Sequence, residues 1–139
     1  MHHFLICPLR AFWLSITLSL STIAFAATPG DTPHRQERQR TVLSGATQME
    51  VVSSIVDIPP GQSAEIHFHH GVEAAYVIQG AEIQVSGKAP MMLPTGMSVM
   101  NLRDVRHGGF VVLGETPLRL FTVHIVDKNK PLYDISPSR

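Results

Sequence analysis

From Thr41 onward the chain never sustains the spacing of apolar side chains that one face of a helix requires. Short runs rich in β-branched residues follow one another instead, separated by glycine, proline and asparagine. The runs predict strands over Glu50–Ile58, Ala64–His69, Ala74–Ile78, Glu82–Val85, Ser98–Met100, Phe110–Leu113 and Leu118–Val126. Breaks fall at Pro59-Pro60-Gly61, His70-Gly71, Gln79-Gly80, Ser86-Gly87, Pro94-Thr95-Gly96, Gly108-Gly109 and Gly114–Pro117. Many short strands at regular spacing predict an all-β sandwich or barrel, jelly-roll types included.

The N-terminus reads differently. Arg10 precedes an apolar, hydroxyl-diluted segment over residues 11–27, and Ala24-Phe25-Ala26 has the small-x-small pattern of a signal-peptidase site. The expectation is a secretory signal over residues 1–26, cleaved after Ala26, with a periplasmic or secreted product and no stable membrane anchor. The alternative is an uncleaved N-terminal anchor, although a span wants about 20 mostly apolar residues. Residues 27–40 read as a flexible leader, residues 41–127 as the β-barrel domain, and Lys128–Arg139, with two prolines, as an extended C-terminal arm.

Without residues 1–26 the chain has 113 residues, of which 10 are Lys or Arg and 11 are Asp or Glu. That balance argues against a nucleic-acid partner, which selects a basic patch or stripe. Charged residues at 16 % and hydrophobic residues at 44 % argue against disorder. The sole cysteine, Cys7, lies in the segment expected to be removed, which leaves neither disulfide nor thiol chemistry.

Histidine is the unusual residue: there are eight, with His67, His69 and His70 close together. On a strand, side chains at i and i+2 share a face, so His67 and His69 project together and Phe68 points away. Glu73 opens the next predicted strand and could reach back toward the pair. Two histidines so spaced, followed by an acid, suit a metal ion; a single strand histidine is usually structural.

The run from Gly61 to Gly80, with His67, His69, Glu73 and Gly80, fills every fixed position of G-x5-H-x-H-x3-E-x6-G and resembles the first cupin motif. A second motif, G-x5-P-x-G-x2-H-x3-N, is matched at Gly96 and His107; Leu102, Asp104 and Val111 stand where it has proline, glycine and asparagine. Arg103-Asp104 could make the turn before His107 by other chemistry, because Asp bonds its own backbone in turns.

The resemblance implies a cupin double-stranded β-helix, a jelly-roll barrel with a metal inside. It implies His67, His69, Glu73 and His107 as ligands, and a divalent transition metal: Fe, Mn, Ni, Cu or Zn. Three imidazoles and a carboxylate suit such an ion. Four protein ligands leave one or two positions for water, oxygen or a small-molecule substrate. The implied activity is that of a metal-dependent enzyme of dioxygenase, isomerase or lyase type, with Glu73 a possible base. The alternative functions are a non-catalytic protein that captures a metal or small ligand, and a structural module in which the barrel pairs as a homodimer.

Other residues stay outside this set. His70 reads as a turn or rim residue. His124 shares a predicted strand face with Leu118, Leu120, Thr122 and Val126, and is either a pocket residue or a structural histidine. Tyr76 should face away from Glu73 and pack. Met91, Met92, Met97 and Met100 are read as gap-fillers or the lining of an adaptable pocket, with soft Cu(I) ligation as the alternative. Arg103 and Arg106 flank His107 as rim charges or as contacts for an anionic substrate.

Overall fold

The computed structural model describes residues 32–137. The expected signal segment and its cleavage point lie outside the described residues. Among those described, nine strands form two sheets: β1 (Arg35–Val42), β2 (Met49–Ile58), β3 (Ser63–Ala64), β4 (Gly71–Gln79), β5 (Ala81–Val85), β6 (Met91–Leu93), β7 (Ser98–Asn101), β8 (Phe110–Val112) and β9 (Leu118–Asp127). The larger sheet has the order β1-β2-β9-β4-β7, and the smaller has the order β3-β8-β5-β6. This is the all-β, double-stranded β-helix architecture expected from the strand pattern and the motifs.

Alternation decides which face is buried. On β2, Val52, Ser54, Val56 and Ile58 are buried, and the residues between them are not. On β9 the buried positions are Leu118, Thr122, His124 and Val126. The two strands pair antiparallel along their whole length, from Met49 opposite Asp127 to Ile58 opposite Leu118. Val56, Ile58, Val77, Ala81, Ile83, Val112 and Leu118 form the main core, drawn from both sheets. A smaller cluster of Val52, Val126 and Leu132 lies beside it. Gly80, the last residue of the first motif, allows β4 to turn into β5: a Cβ there would sit 2.4 Å from the Leu93 carbonyl oxygen.

Four expectations are corrected. Residues 35–40, expected within a flexible leader, belong to β1, an edge strand paired with β2. Its side chains are exposed except Arg35, which reaches inward to donate to Ser54 Oγ at 2.7 Å, so hydrophobic alternation could not announce it. β6 was also missed: its Met-Met-Leu sequence has no strand pattern, and pairing with β5 creates the strand. The strand expected over Ala64–His69 is interrupted. Its partner segment carries Gly108 and Gly109, both at positive φ, so the ladder stops at Ala64 and resumes as a bridge between His67 and His107. Finally, the C-terminal arm folds back on the barrel: Leu132 is buried, and Phe68 bridges Asp134 through two 3.0 Å backbone hydrogen bonds.

Candidate metal centre

Three segments bring the histidines together. His67 and His69 come from the stretch after β3, with buried side chains on one side and Phe68 on the other, as alternation requires. His107 follows the turn after β7. In that turn Asp104, standing at the motif's glycine position, adopts φ +58° and donates its N–H to the His69 carbonyl at 2.9 Å. Asp is among the residues that tolerate this left-handed conformation. Gly108 follows at φ +81°, where a Cβ would lie 2.4 Å from the Glu65 carbonyl oxygen.

Each of these imidazoles is oriented by a backbone carbonyl. His67 Nδ1 lies 2.7 Å from Glu65 O, His107 Nδ1 lies 3.0 Å from Val105 O, and His69 Nδ1 meets Leu132 O. A carbonyl can only accept, so each Nδ1 carries a proton, and in the neutral imidazole Nε2 then keeps its lone pair. Outer hydrogen bonds of this kind fix the tautomer and ring orientation of metal-binding histidines. The Nε2 atoms of His69 and His107 stand 3.1 Å apart, and the His67 ring centroid is 4.9 Å from that of His69 and 4.4 Å from that of His107. The donor atoms of His67, His69 and His107 all lie within 4.8 Å of one another.

Glu73 supplies the carboxylate from the inner face of β4. Its Oε2 lies 3.3 Å from both His69 Nε2 and His107 Nε2, and it accepts a 2.6 Å hydrogen bond from Asn101 Nδ2. Asn101 on β7 and His124 on β9 are its direct neighbours across the two ladders. Burial works to raise the Glu73 pKa, but the imidazoles of His107, His124 and His69 gathered around the carboxylate outweigh it and hold the carboxyl well below the usual range. Tied in this way, Glu73 is a ligand or an anchor; acting as a base would require it to leave these partners. Burial pushes His67 down to about 4. For His107 burial also lowers the pKa, yet Glu73 and the Val105 carbonyl prevail and raise it.

Expectation thus placed His67, His69, Glu73 and His107 in one cluster, and the fold brings all four together. It adds His124, whose Nε2 lies 3.3 Å from Glu73 Oε1 and whose ring centroid is 4.5 Å from that of His69. His124 is 0 % exposed, and neither ring nitrogen completes a hydrogen bond. A buried polar atom without a partner costs roughly 1–3 kcal/mol. Burial lowers its pKa, against the pull of Glu73. Alternation had put His124 on the inner face, but nothing local pointed it at Glu73. Asn101, the Leu132 carbonyl and Tyr133, whose ring lies 4.6 Å from that of His67, carried no readable signal either.

The remaining candidates lie elsewhere. His70 is at the rim, with Nε2 3.0 Å from Asp134 Oδ2 and Nδ1 3.4 Å from Asp104 Oδ1. Tyr76, expected to pack, is 48 % exposed on the outer face of β4. Met91, Met92, Met97 and Met100, expected to fill gaps or line a pocket, are exposed instead, on β6, on β7 and in the turn just before β7, and none lines the cavity. Arg103 pairs with Asp127 at 2.8 Å through two hydrogen bonds, and Arg106 lies over the Phe68 ring at 5.6 Å.

A cavity of about 750 Å³ opens onto His67, Glu73, Asn101 and His107. Its walls are largely apolar, with Val56, Ile58, Val77, Ile83, Phe110 and Leu120 prominent, and no Lys or Arg lines it among the described residues. Thr32 and His34, just before β1, lie at its edge.

Comparison with known proteins follows the same lines. The profile described as Cupin domain matches residues 54–124. No curated protein matches the chain. Among solved structures, an uncharacterized conserved protein with a double-stranded β-helix domain from Klebsiella pneumoniae subsp. pneumoniae MGH 78578 is 20% identical, over 75% of this chain and 84% of that one, with a TM-score of 0.50. The polyketide cyclase RemF from Streptomyces resistomycificus is 20% identical, over 77% of this chain and 75% of that one, with a TM-score of 0.48. The DMSP lyase DddQ from Ruegeria pomeroyi DSS-3 is 20% identical over 58% of this chain, with a TM-score of 0.47, and the match spans only 40% of that lyase's length. At such identities the likeness is one of fold.

Proposed function

The chain belongs to the cupin family, and on that premise we propose that it holds one divalent transition metal in its barrel and acts on a small organic molecule there. His67, His69, His107 and Glu73 are the ligands in this reading. The observation that carries it is the orientation of the three imidazoles: each Nδ1 is engaged by a backbone carbonyl, and the Nε2 atoms are left to converge beside a carboxylate. When bound, the metal would supply Lewis-acid or oxygen chemistry to a ligand entering from the cavity.

The chain's own residues do the rest. Asn101 holds one Glu73 oxygen in place. The apolar walls exclude water and favour a substrate with an apolar body and one polar group at the metal end. The absence of lysine and arginine from the described lining disfavours a multiply anionic substrate. Dioxygenase, isomerase and lyase chemistry all fit a site of this kind. In the same reading the chain is exported, with its signal segment, residues 1–26, cleaved after Ala26.

The second reading, a non-catalytic binder, draws on Glu73: a carboxylate engaged by Asn101 and surrounded by imidazoles has little freedom to move protons. Elemental analysis of protein purified from its native compartment tests both readings. The expected result is close to one transition-metal ion per chain, abolished by His67→Ala together with His69→Ala. Unchanged metal content in the double variant overturns the ligand assignment. A substrate screen on metal-loaded protein, followed by oxygen uptake and product formation, separates enzyme from binder.

A further inference from the structure

His124 is a buried histidine that the four-ligand set does not use. It faces Glu73 directly across the β4–β9 ladder, is 0 % exposed, and has no hydrogen-bond partner at either ring nitrogen. The donor atoms of His69, Glu73 and His124 lie within 4.8 Å of one another, as do those of His67, His69 and His107. His69 belongs to both groups. Metal bonds of 2.0–2.2 Å hold donors on one ion roughly 3–4.2 Å apart, so small side-chain shifts suffice to bring either group onto an ion.

Resting on the metal reading above, we infer that His124 is a fifth protein ligand, bound through Nε2 on the side of the centre away from the cavity. His67, Glu73 and His107 line the cavity and His124 does not, so it would close the floor of the site rather than compete with an incoming ligand. The other three imidazoles have their Nδ1 groups engaged by carbonyls; His124 has none, and is held by packing between β2 and β4, opposite Val52 and Glu73. The consequence concerns binding mode. Five protein donors leave a six-coordinate ion a single open position, facing the cavity. The substrate then binds through one atom and not as a two-atom chelate.

The test uses the full chain loaded with cobalt(II) and counts the solvent-exchangeable imidazole N–H resonances that the ion shifts out of the ordinary proton range. The expected count is four in the wild type and three in His124→Gln, with cobalt affinity at least about tenfold weaker in both His124→Gln and His124→Phe. Circular dichroism of the metal-free variants checks their folding, and if neither folds the wild-type count alone decides. Three resonances in the loaded wild type, or unchanged affinity in both folded variants, overturns the fifth ligand and leaves the four-ligand reading standing. A folded wild type that takes up no cobalt overturns both.

Discussion

His67 and His107 exchange both backbone hydrogen bonds across an antiparallel bridge, His67 N–H to the His107 carbonyl at 3.1 Å and His107 N–H to the His67 carbonyl at 2.9 Å. Residues paired in this way present their side chains on the same face, and here the ring centroids stand 4.4 Å apart. The meeting of two histidines far apart in sequence is therefore a property of the backbone ladder.

Asn101→Leu should weaken metal binding without unfolding the barrel. The substitution removes the 2.6 Å hydrogen bond to Glu73 Oε2 from a half-buried position. Losing an outer hydrogen bond of this type costs about 10–100-fold in metal affinity. Competition against a chelator of known strength measures it, and equal affinity for variant and wild type would contradict the role given to Asn101.

Gly108→Ala should damage both stability and the site. Its φ of +81° is disfavoured for alanine, and the added Cβ would press to 2.4 Å on the Glu65 carbonyl oxygen that orients His67. The left-handed conformation alone costs about 1–2 kcal/mol. Urea unfolding should show at least that loss, with metal affinity reduced in the fraction that remains folded.

Leu132→Ala tests whether the C-terminal arm belongs to the site. Leu132 packs with Val52 and Val126, and its carbonyl engages His69 Nδ1. Truncating a buried leucine costs about 2–5 kcal/mol. A loosened arm should also lower metal affinity through His69. A stability loss under about 0.5 kcal/mol, the range of surface substitutions, would show that the arm does not dock in solution.

Acid should destabilise the metal-free protein partly through His67. Burial lowers its pKa from 6.5 to about 4 in the folded state. As pH falls below 6.5 the unfolded chain takes up a proton that the folded chain refuses until about 4. The contribution is thus complete above 6.5 and is lost as pH drops through that window, by about 3 kcal/mol at most. Urea midpoints of metal-free wild type and His67→Gln should converge as the pH is lowered. Parallel curves would remove His67 from the account.

The sequence by itself determined the all-β class, because no stretch from Thr41 onward sustains a helical apolar period and short β-branched runs alternate with turn residues. Its resemblance to the cupin motifs supplied the ligand candidates His67, His69, Glu73 and His107. It could not show β1, whose one buried side chain is an arginine, nor β6, which exists only through its pairing with β5. Tertiary structure alone decided who surrounds Glu73. Asn101 and His124 reach it because β7 and β9 flank β4 in a particular register, and the Leu132 carbonyl reaches His69 because the arm folds back. Local sequence sets the face on which a side chain lies; register and strand order, which depend on contacts between distant segments, set what it meets there.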